Sequence, residues 1–360
     1  MPFVAELVQL LRPAGQGLFL VSTGRDRQLA LSRRIYGAES DAEVETRWQL
    51  ALSRLADAKV VMLGVPSDVG AGFRRGASLA PGVLREALLD AVPDLRERGV
   101  VDAGDVFVVP QLLHDDMLSS AQLAATRRAI YGDPRAPHPV SPLSIEERAI
   151  ELILAIAPRA KLLVLGGDHS VAWPVTAALH RARPGFCIVQ PDAHTDLLQE
   201  RLGVKYCFAT WSFHANELLG RDGRLVQVGV RASRKPREHW ESTLGVRQFW
   251  GDSCVRDPEG TLAAILAHVR SLGSNGVYFS NDIDGTDAAW ADATGTPESG
   301  GPSPEFFERL IAELGRDPGI VAADLVEVAP EVSAASGSAA RTIETSVRYL
   351  RATLDALLRG

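Results

Sequence analysis

Ser280-Asn281-Asp282-Ile283-Asp284-Gly285-Thr286-Asp287 follows the apolar run Gly276-Val277-Tyr278-Phe279, which reads as a buried strand. Residues two apart on a strand face the same way, so Asp282 and Asp284 are aimed at one side. Carboxylates brought together in a protein interior repel, and such a pair persists when a cation lies between them. Two further stretches have the same form. Asp192-Ala193-His194-Thr195-Asp196 follows the apolar run 186–190, and Gly166-Gly167-Asp168-His169-Ser170 follows the run 161–165. Three apolar strands that each end in acidic or imidazole ligands describe a metal site at the carboxyl ends of parallel strands, where open α/β sheets place their ligands.

Outward from these strands the pattern alternates. Strands are predicted at 59–65, 102–109, 161–165, 186–190, 225–230, 276–279 and 320–328, and helices at 43–55, 83–89, 145–156, 171–181, 261–272, 304–315 and 340–358. About eight strands alternating with helices predict an α/β fold, a three-layer α/β/α sandwich around a mostly parallel sheet. Ser144, with Glu147 three residues on, has the spacing of a capping box at the head of the helix 145–156. Residues 112–142 read as a polar, loop-rich stretch. Residues 1–56 are mostly helical in pattern and carry no catalytic signature. They are expected to form an N-terminal extension to a single domain at 57–360.

Composition narrows the function. A net charge of −7 over 360 residues argues against a nucleic-acid-binding surface. The three cysteines, Cys187, Cys207 and Cys254, are scattered and form no CxxC pair, so neither a disulfide frame nor a zinc cluster is expected. No uninterrupted apolar run is long enough for a membrane span, and Arg12 and Pro13 break the apolar N-terminus. Neither a signal peptide nor membrane association is expected, and the protein reads as cytoplasmic.

His169, Asp192, His194, Asp196, Asp282 and Asp284 form a hard donor set of two imidazoles and four carboxylates, without thiolate. A structural zinc site would prefer cysteine and histidine, and magnesium would take less imidazole. Mn²⁺ fits best, with Ni²⁺ and Co²⁺ also compatible. Four carboxylates neutralise two divalent ions, and two such ions sharing a water would lower its pKa toward about 7. That describes a hydrolase centre.

These three motifs resemble the metal signatures of the ureohydrolase (arginase/agmatinase) family. Gly64-x-Pro66 through Arg74-x-Gly76-Ala77 and Pro81 is similar to the family's first loop. Thr294-Gly295-Thr296-Pro297-Glu298-x-Gly300-Gly301 is similar to its loop after the acidic strand, and Asp324-x-x-Glu327-Val328-x-Pro330 to its closing motif. The resemblance runs from about Gly64 to the C-terminus and implies an arginase-like fold. It also implies one metal on His169 and Asp196, another on His194 and Asp284, and Asp192 and Asp282 bridging. Asp196 would steady the attacking water, and Glu327 would pair with a substrate guanidinium, a bidentate geometry. The implied reaction cleaves a guanidino C–N bond to urea and an amine. Trimers or hexamers of identical chains are implied as well.

The chain departs from the family where a histidine usually serves the leaving group: Lys205-Tyr206-Cys207-Phe208-Ala209-Thr210-Trp211 places Phe208 there. His214 is the candidate substitute as proton donor, alongside Asp196. Leu197 and Leu198 offer no grip for an α-amino acid head, so agmatine or a guanidino acid is expected ahead of arginine, with Trp211 beside Glu327 as a substrate contact. Two alternatives stand: a formimidoylglutamase-like amidine hydrolase releasing formamide, and a catalytically retired metal-binding paralogue.

Overall fold

The apolar runs of the sequence become strands of one sheet in the computed structural model, which describes residues 2–20, 22–332 and 336–359. They are β1 (Leu11–Arg12), β2 (Val60–Gly64), β3 (Val100–Val106), β4 (Lys161–Leu165), β5 (Cys187–Pro191), β6 (Leu225–Val230), β7 (Arg247–Trp250), β8 (Val277–Asp282) and β9 (Ile320–Val326). Their order is β1-β3-β2-β4-β9-β8-β5-β6-β7. Every pairing is parallel except that of β1 with β3. β2, β5, β6 and β8 are buried at every residue, which accounts for their continuous apolar runs.

Alternate residues feed the two cores on either side. In β4, Leu162 and Val164 join one apolar cluster and Leu163 and Leu165 the other, as the two-residue repeat of a strand dictates. The first cluster is closed by α1 (Pro2–Leu10), α2 (Arg25–Tyr36), α3 (Asp41–Ser53), α6 (Pro142–Ile156), α7 (Ala172–Ala182) and α8 (Trp211–Leu219). The second is closed by α4 (Ala80–Ala91), α10 (Gly251–Arg256), α11 (Pro258–Ser271), α12 (Pro304–Arg316) and α13 (Ser338–Leu358). The result is the expected α/β/α sandwich, with nine strands. Two helices, α5 (Ser120–Tyr131) and α9 (Arg237–Leu244), bury no residue. No helix among the described residues is long and apolar enough to cross a membrane.

Some local expectations are corrected. Residues 112–142 are not all loop, since they contain α5. The capping box heads that helix, with the side chains of Ser119 and Gln122 each bonded to the other's backbone. Ser144 does not cap α6, which begins at Pro142; its hydroxyl accepts the Asp115 N–H at 3.0 Å. β7 lay in a stretch with no predicted strand.

Side chains of the described N-terminal residues reach into the first core. Leu7, Leu10, Trp48 and Leu52 are fully or almost fully buried in the first core, and the Trp48 indole donates to the Ala103 carbonyl at 2.8 Å. The Asp105 carboxylate accepts the Gly15 N–H at 2.7 Å and the Gly17 N–H at 3.3 Å. It also pairs with Arg85, a fully buried guanidinium that Asp102 holds at 2.8 Å.

Candidate metal centre

β4, β9, β8 and β5 are neighbours, and their carboxyl ends bring the singled-out residues together. His169 follows β4, Glu327 follows β9, Asp282 ends β8 and Asp192 follows β5. Two glycines make room for this convergence. A Cβ on Gly167 would stand 1.6 Å from the Ser67 carbonyl oxygen, and one on Gly285 2.7 Å from the Asp192 nitrogen. Asp196 and Glu327 hold left-handed backbones, with φ of 51° and 61°. That conformation is uncommon outside glycine and clusters at functional sites.

His169 is fully buried, and its Nδ1 lies 3.1 Å from Asp282, 3.3 Å from Asp192 and 3.4 Å from Asp196. His194 is partly exposed, with Nδ1 3.0 Å from Asp284 and 3.6 Å from Asp192. Asp192 therefore stands between the imidazoles, turning Oδ2 to His169 and Oδ1 to His194. Two donor groups result, His169–Asp192–Asp196 and Asp192–His194–Asp284, each tight enough to hold a metal ion. Asp282 borders the first group, and its other oxygen accepts the Asp284 N–H at 2.9 Å.

Electrostatics agree with a cation site. Burial raises the Asp282 carboxyl well above its ordinary value, and the charges of Asp284 and Asp192 push it the same way. Burial and Asp192 together push Asp196 up to about 6. Burial would lower His169, but hydrogen bonds to Asp192, Asp196 and Asp282 raise it far above its usual range. A divalent ion among these groups would relieve the carboxylate repulsion. The oxygen-rich donor set suits a hard or borderline ion, and the three cysteines, buried and free, take no part in either donor group.

A second layer fixes the donors. The Ser280 hydroxyl donates to Asp324 at 3.0 Å and so accepts from His169 Nε2, also at 3.0 Å. This leaves the lone pair on Nδ1, the nitrogen facing the carboxylates. The Gln190 amide donates to Asp192 at 2.7 Å; Gln227 donates to Gln190 at 2.9 Å, Gln248 to Gln227 at 2.8 Å, and the Trp250 indole to Gln248 at 2.9 Å. Arg231 donates to the carbonyls of Gly229, Asp284, Gly285, Thr286 and Glu298 at 2.7–3.1 Å. It thereby ties the acidic turn to the loop that follows. A Cβ on Gly301 would fall 2.6 Å from its guanidinium carbon, which explains a glycine there. The sequence reading missed Arg231 and the glutamines. Their signal is a single polar residue in each of the apolar strands 187–191 and 225–230, a glutamine beside Arg247 in 247–250, and an arginine just past the end of β6.

Glu327 is buried beside the cluster. Its Oε1 accepts the His169 N–H at 2.9 Å, and its Oε2 lies 3.9 Å from where a Gly295 Cβ would stand. Burial, then the Asp168 charge, raises its pKa well above the ordinary carboxyl range, partly offset by that N–H. Two expected site residues are placed elsewhere. Trp211 is fully buried, its ring centroid 4.5 Å from that of His169 and its indole N–H on Asp196 at 3.2 Å. It props the cluster from behind and offers no free face to a substrate. His214 sits among Trp173, Tyr206 and Phe213 with Nε2 on the Lys205 carbonyl at 3.1 Å. One helical turn beyond Trp211 on α8, it is carried into that aromatic cluster, with no contact to the His/Asp group among the described residues.

A model of the arginase family matches residues 58–352. An agmatinase from Halalkalibacterium halodurans is 29% identical over 290 residues, 78% of this chain and 87% of that protein. A guanidinobutyrase from Pseudomonas aeruginosa is 31% identical over 276 residues, 74% of this chain and 78% of that one. Among solved structures, the agmatine ureohydrolase of Thermoplasma volcanium is 25% identical with a TM-score of 0.63, over 84% of this chain and 90% of that chain.

Proposed function

Because the chain belongs to the arginase family, whose hydrolases act on guanidino and amidine C–N bonds, we propose that it cleaves a small guanidino compound to urea and an amine. The observation that carries this reading is the convergence of six His/Asp donors and Glu327 at the carboxyl ends of four adjacent strands. We assign His169 and Asp196 to one divalent ion and His194 and Asp284 to the other, with Asp192 and Asp282 between them. Mn²⁺ is the first choice for this donor set, ahead of Ni²⁺ and Co²⁺. Bound there, two such ions would supply Lewis-acid charge and acidify a water.

The chain's own groups do the rest. Glu327, anchored through Oε1, has Oε2 left to accept the guanidinium N–H groups and orient the carbon. Asp192 is held by Gln190 and by the His194 N–H, which keeps it an acceptor between the imidazoles. Phe208 cannot move a proton and His214 is turned away, so Asp196 is assigned to carry the proton to the leaving amine. The Trp211 indole fixes this carboxylate through Oδ2, the oxygen that faces His169.

The test is product release by Mn²⁺-loaded protein, repeated with Ni²⁺, on arginine, agmatine, 4-guanidinobutyrate, guanidine and formimidoylglutamate. Urea from agmatine or a guanidino acid is the expected result. Formamide alone would move the assignment to an amidine hydrolase, and silence across the panel with metal confirmed in the protein would overturn it.

A further inference from the structure

The loops after β2, β3 and β5 line a cleft of 460 Å³, within the range of small-molecule sites. At Gly70 it comes up to the loop that carries His169, where an added Cβ would stand 2.5 Å from the Ser170 hydroxyl. The Phe208 N–H donates to the Gly70 carbonyl at 3.1 Å, and the Gly70 N–H donates to Asp168 at 3.0 Å. The cleft is thus hydrogen-bonded to the residue that precedes His169. Its charge is of one sign: Arg75 and Arg201 line it, with Gln111 and His114, and no carboxylate does among the described residues. The acids nearest in sequence are committed elsewhere or lie outside. Asp68 accepts from the Gly76 N–H and the Ser78 hydroxyl, and Asp115 from the Val140 and Ser141 N–H groups. Glu200 is not in the lining, Asp116 stands behind it with Oδ2 3.6 Å from His114 Nδ1, and Glu298 lies against His194 at 3.9 Å. The Arg201 guanidinium carbon sits 5.1 Å from the centroid of the Phe208 ring, a cation–π platform. The Arg75 guanidinium is tethered at 3.4 Å to the Val69 carbonyl in the same wall.

We propose that this cleft takes the tail of the substrate and that the tail is a carboxylate, so the substrate is a guanidino acid and not an aminoalkyl guanidine such as agmatine. The proposal rests on the guanidino-hydrolase reading and narrows it. Two arginine forks complement a carboxylate, whereas an ammonium there would meet two like charges and no carboxylate in the lining. Phe208 then has a positive role: its face aims Arg201 where the family usually places an imidazole.

The full-length, Mn²⁺-loaded protein is given 4-guanidinobutyrate and agmatine, a pair of similar length and opposite tail charge. Urea release and calorimetric binding are both measured. The acid should be preferred about 10- to 100-fold in kcat/KM, equivalent to about 1.4–2.8 kcal/mol. Arg201→Glu and Arg75→Glu, both at exposed positions, should each cut that preference about tenfold or more and improve agmatine. Phe208→Leu, which removes the platform under Arg201, should raise KM for the acid more than KM for agmatine. Agmatine cleaved as well as the acid, or charge reversals that move both substrates alike, would overturn the carboxylate cleft while the hydrolase reading stood. Absence of urea from both, with the rest of the panel silent too, would sink the hydrolase reading, and calorimetry would then decide the cleft. Acid-selective binding inverted by Arg201→Glu upholds it, and indifferent or absent binding removes it.

Discussion

Glu327 turns into the cluster through a left-handed backbone and one N–H from His169, and its proposed task is substrate orientation rather than metal holding. Glu327→Gln should therefore retain metal, read by elemental analysis, while kcat/KM on guanidino substrates falls about 100- to 1,000-fold. Normal turnover would remove Glu327 from the site. Asp282→Ala should lose metal and activity together. A different test concerns Glu146, fully buried on α6 with neither carboxyl oxygen partnered among the described residues. Burial, then the Asp324 charge, raises its pKa well above 4.5. The folded protein keeps that proton after the unfolded chain has lost it, so native stability declines as pH rises from about 4.5. Glu146→Met should remove this cost, and its advantage in Tm should be larger at pH 8 than at pH 5; a constant difference would refute the sign. At this scale the donors were legible because imidazole and carboxylate at strand ends have few structural uses. Trp211 and His214 were not, because the direction a helical side chain takes depends on how α8 is rotated, and that is set by the tertiary packing of the loop before it.

Among elements, the sheet carries the site's rigidity. Gln190, Gln227 and Gln248 stand opposite one another in the register of β5, β6 and β7, so each amide points its NH₂ toward Asp192 and its oxygen away. Gln227→Leu would cut this ladder in the middle and leave two buried amides short of a partner. The expected cost is about 1–3 kcal/mol of stability in denaturant titration, with metal affinity weakened about 10- to 100-fold by calorimetry. An unchanged affinity would mean that Gln190 alone holds Asp192. The buried parallel strands were readable because burial on both faces makes them continuously apolar. α5 and α9 were not, since helices that bury nothing carry no apolar stripe. The glutamines were unreadable for a related reason, because only the strand register reveals that three isolated polar residues are one row.

For the whole molecule, the arginine pair Asp102–Arg85–Asp105 joins the N-terminal segment to the domain. The sequence shows helical periodicity in residues 1–56 but not that Leu11 and Arg12 pair with Val106 and Asp105, because two residues give no strand signal. We propose that the segment is part of the folding unit. A chain of 57–360 would lose Leu7, Leu10, Trp48 and Leu52 from the core, each worth about 1.5–3 kcal/mol on burial. That sum rivals the stability of a typical domain, about 5–15 kcal/mol. Such a chain should show no cooperative thermal transition; a native-like Tm would refute the assignment.

β1 also shields part of one edge of the sheet. Leu11 and Arg12 pair with Val106 and Asp105, and the backbone groups of Phe107 and Val108 are taken by Leu10, Gly17 and Phe19, so the carboxyl end of the outer edge of β3 is covered. Beyond Arg12 comes Pro13, which has no N–H to offer a further strand. On this side of the sheet an incoming strand would find only the two residues of β1 to pair with, so the terminal segment that completes the core also blunts the edge, and the opposite edge is left to β7.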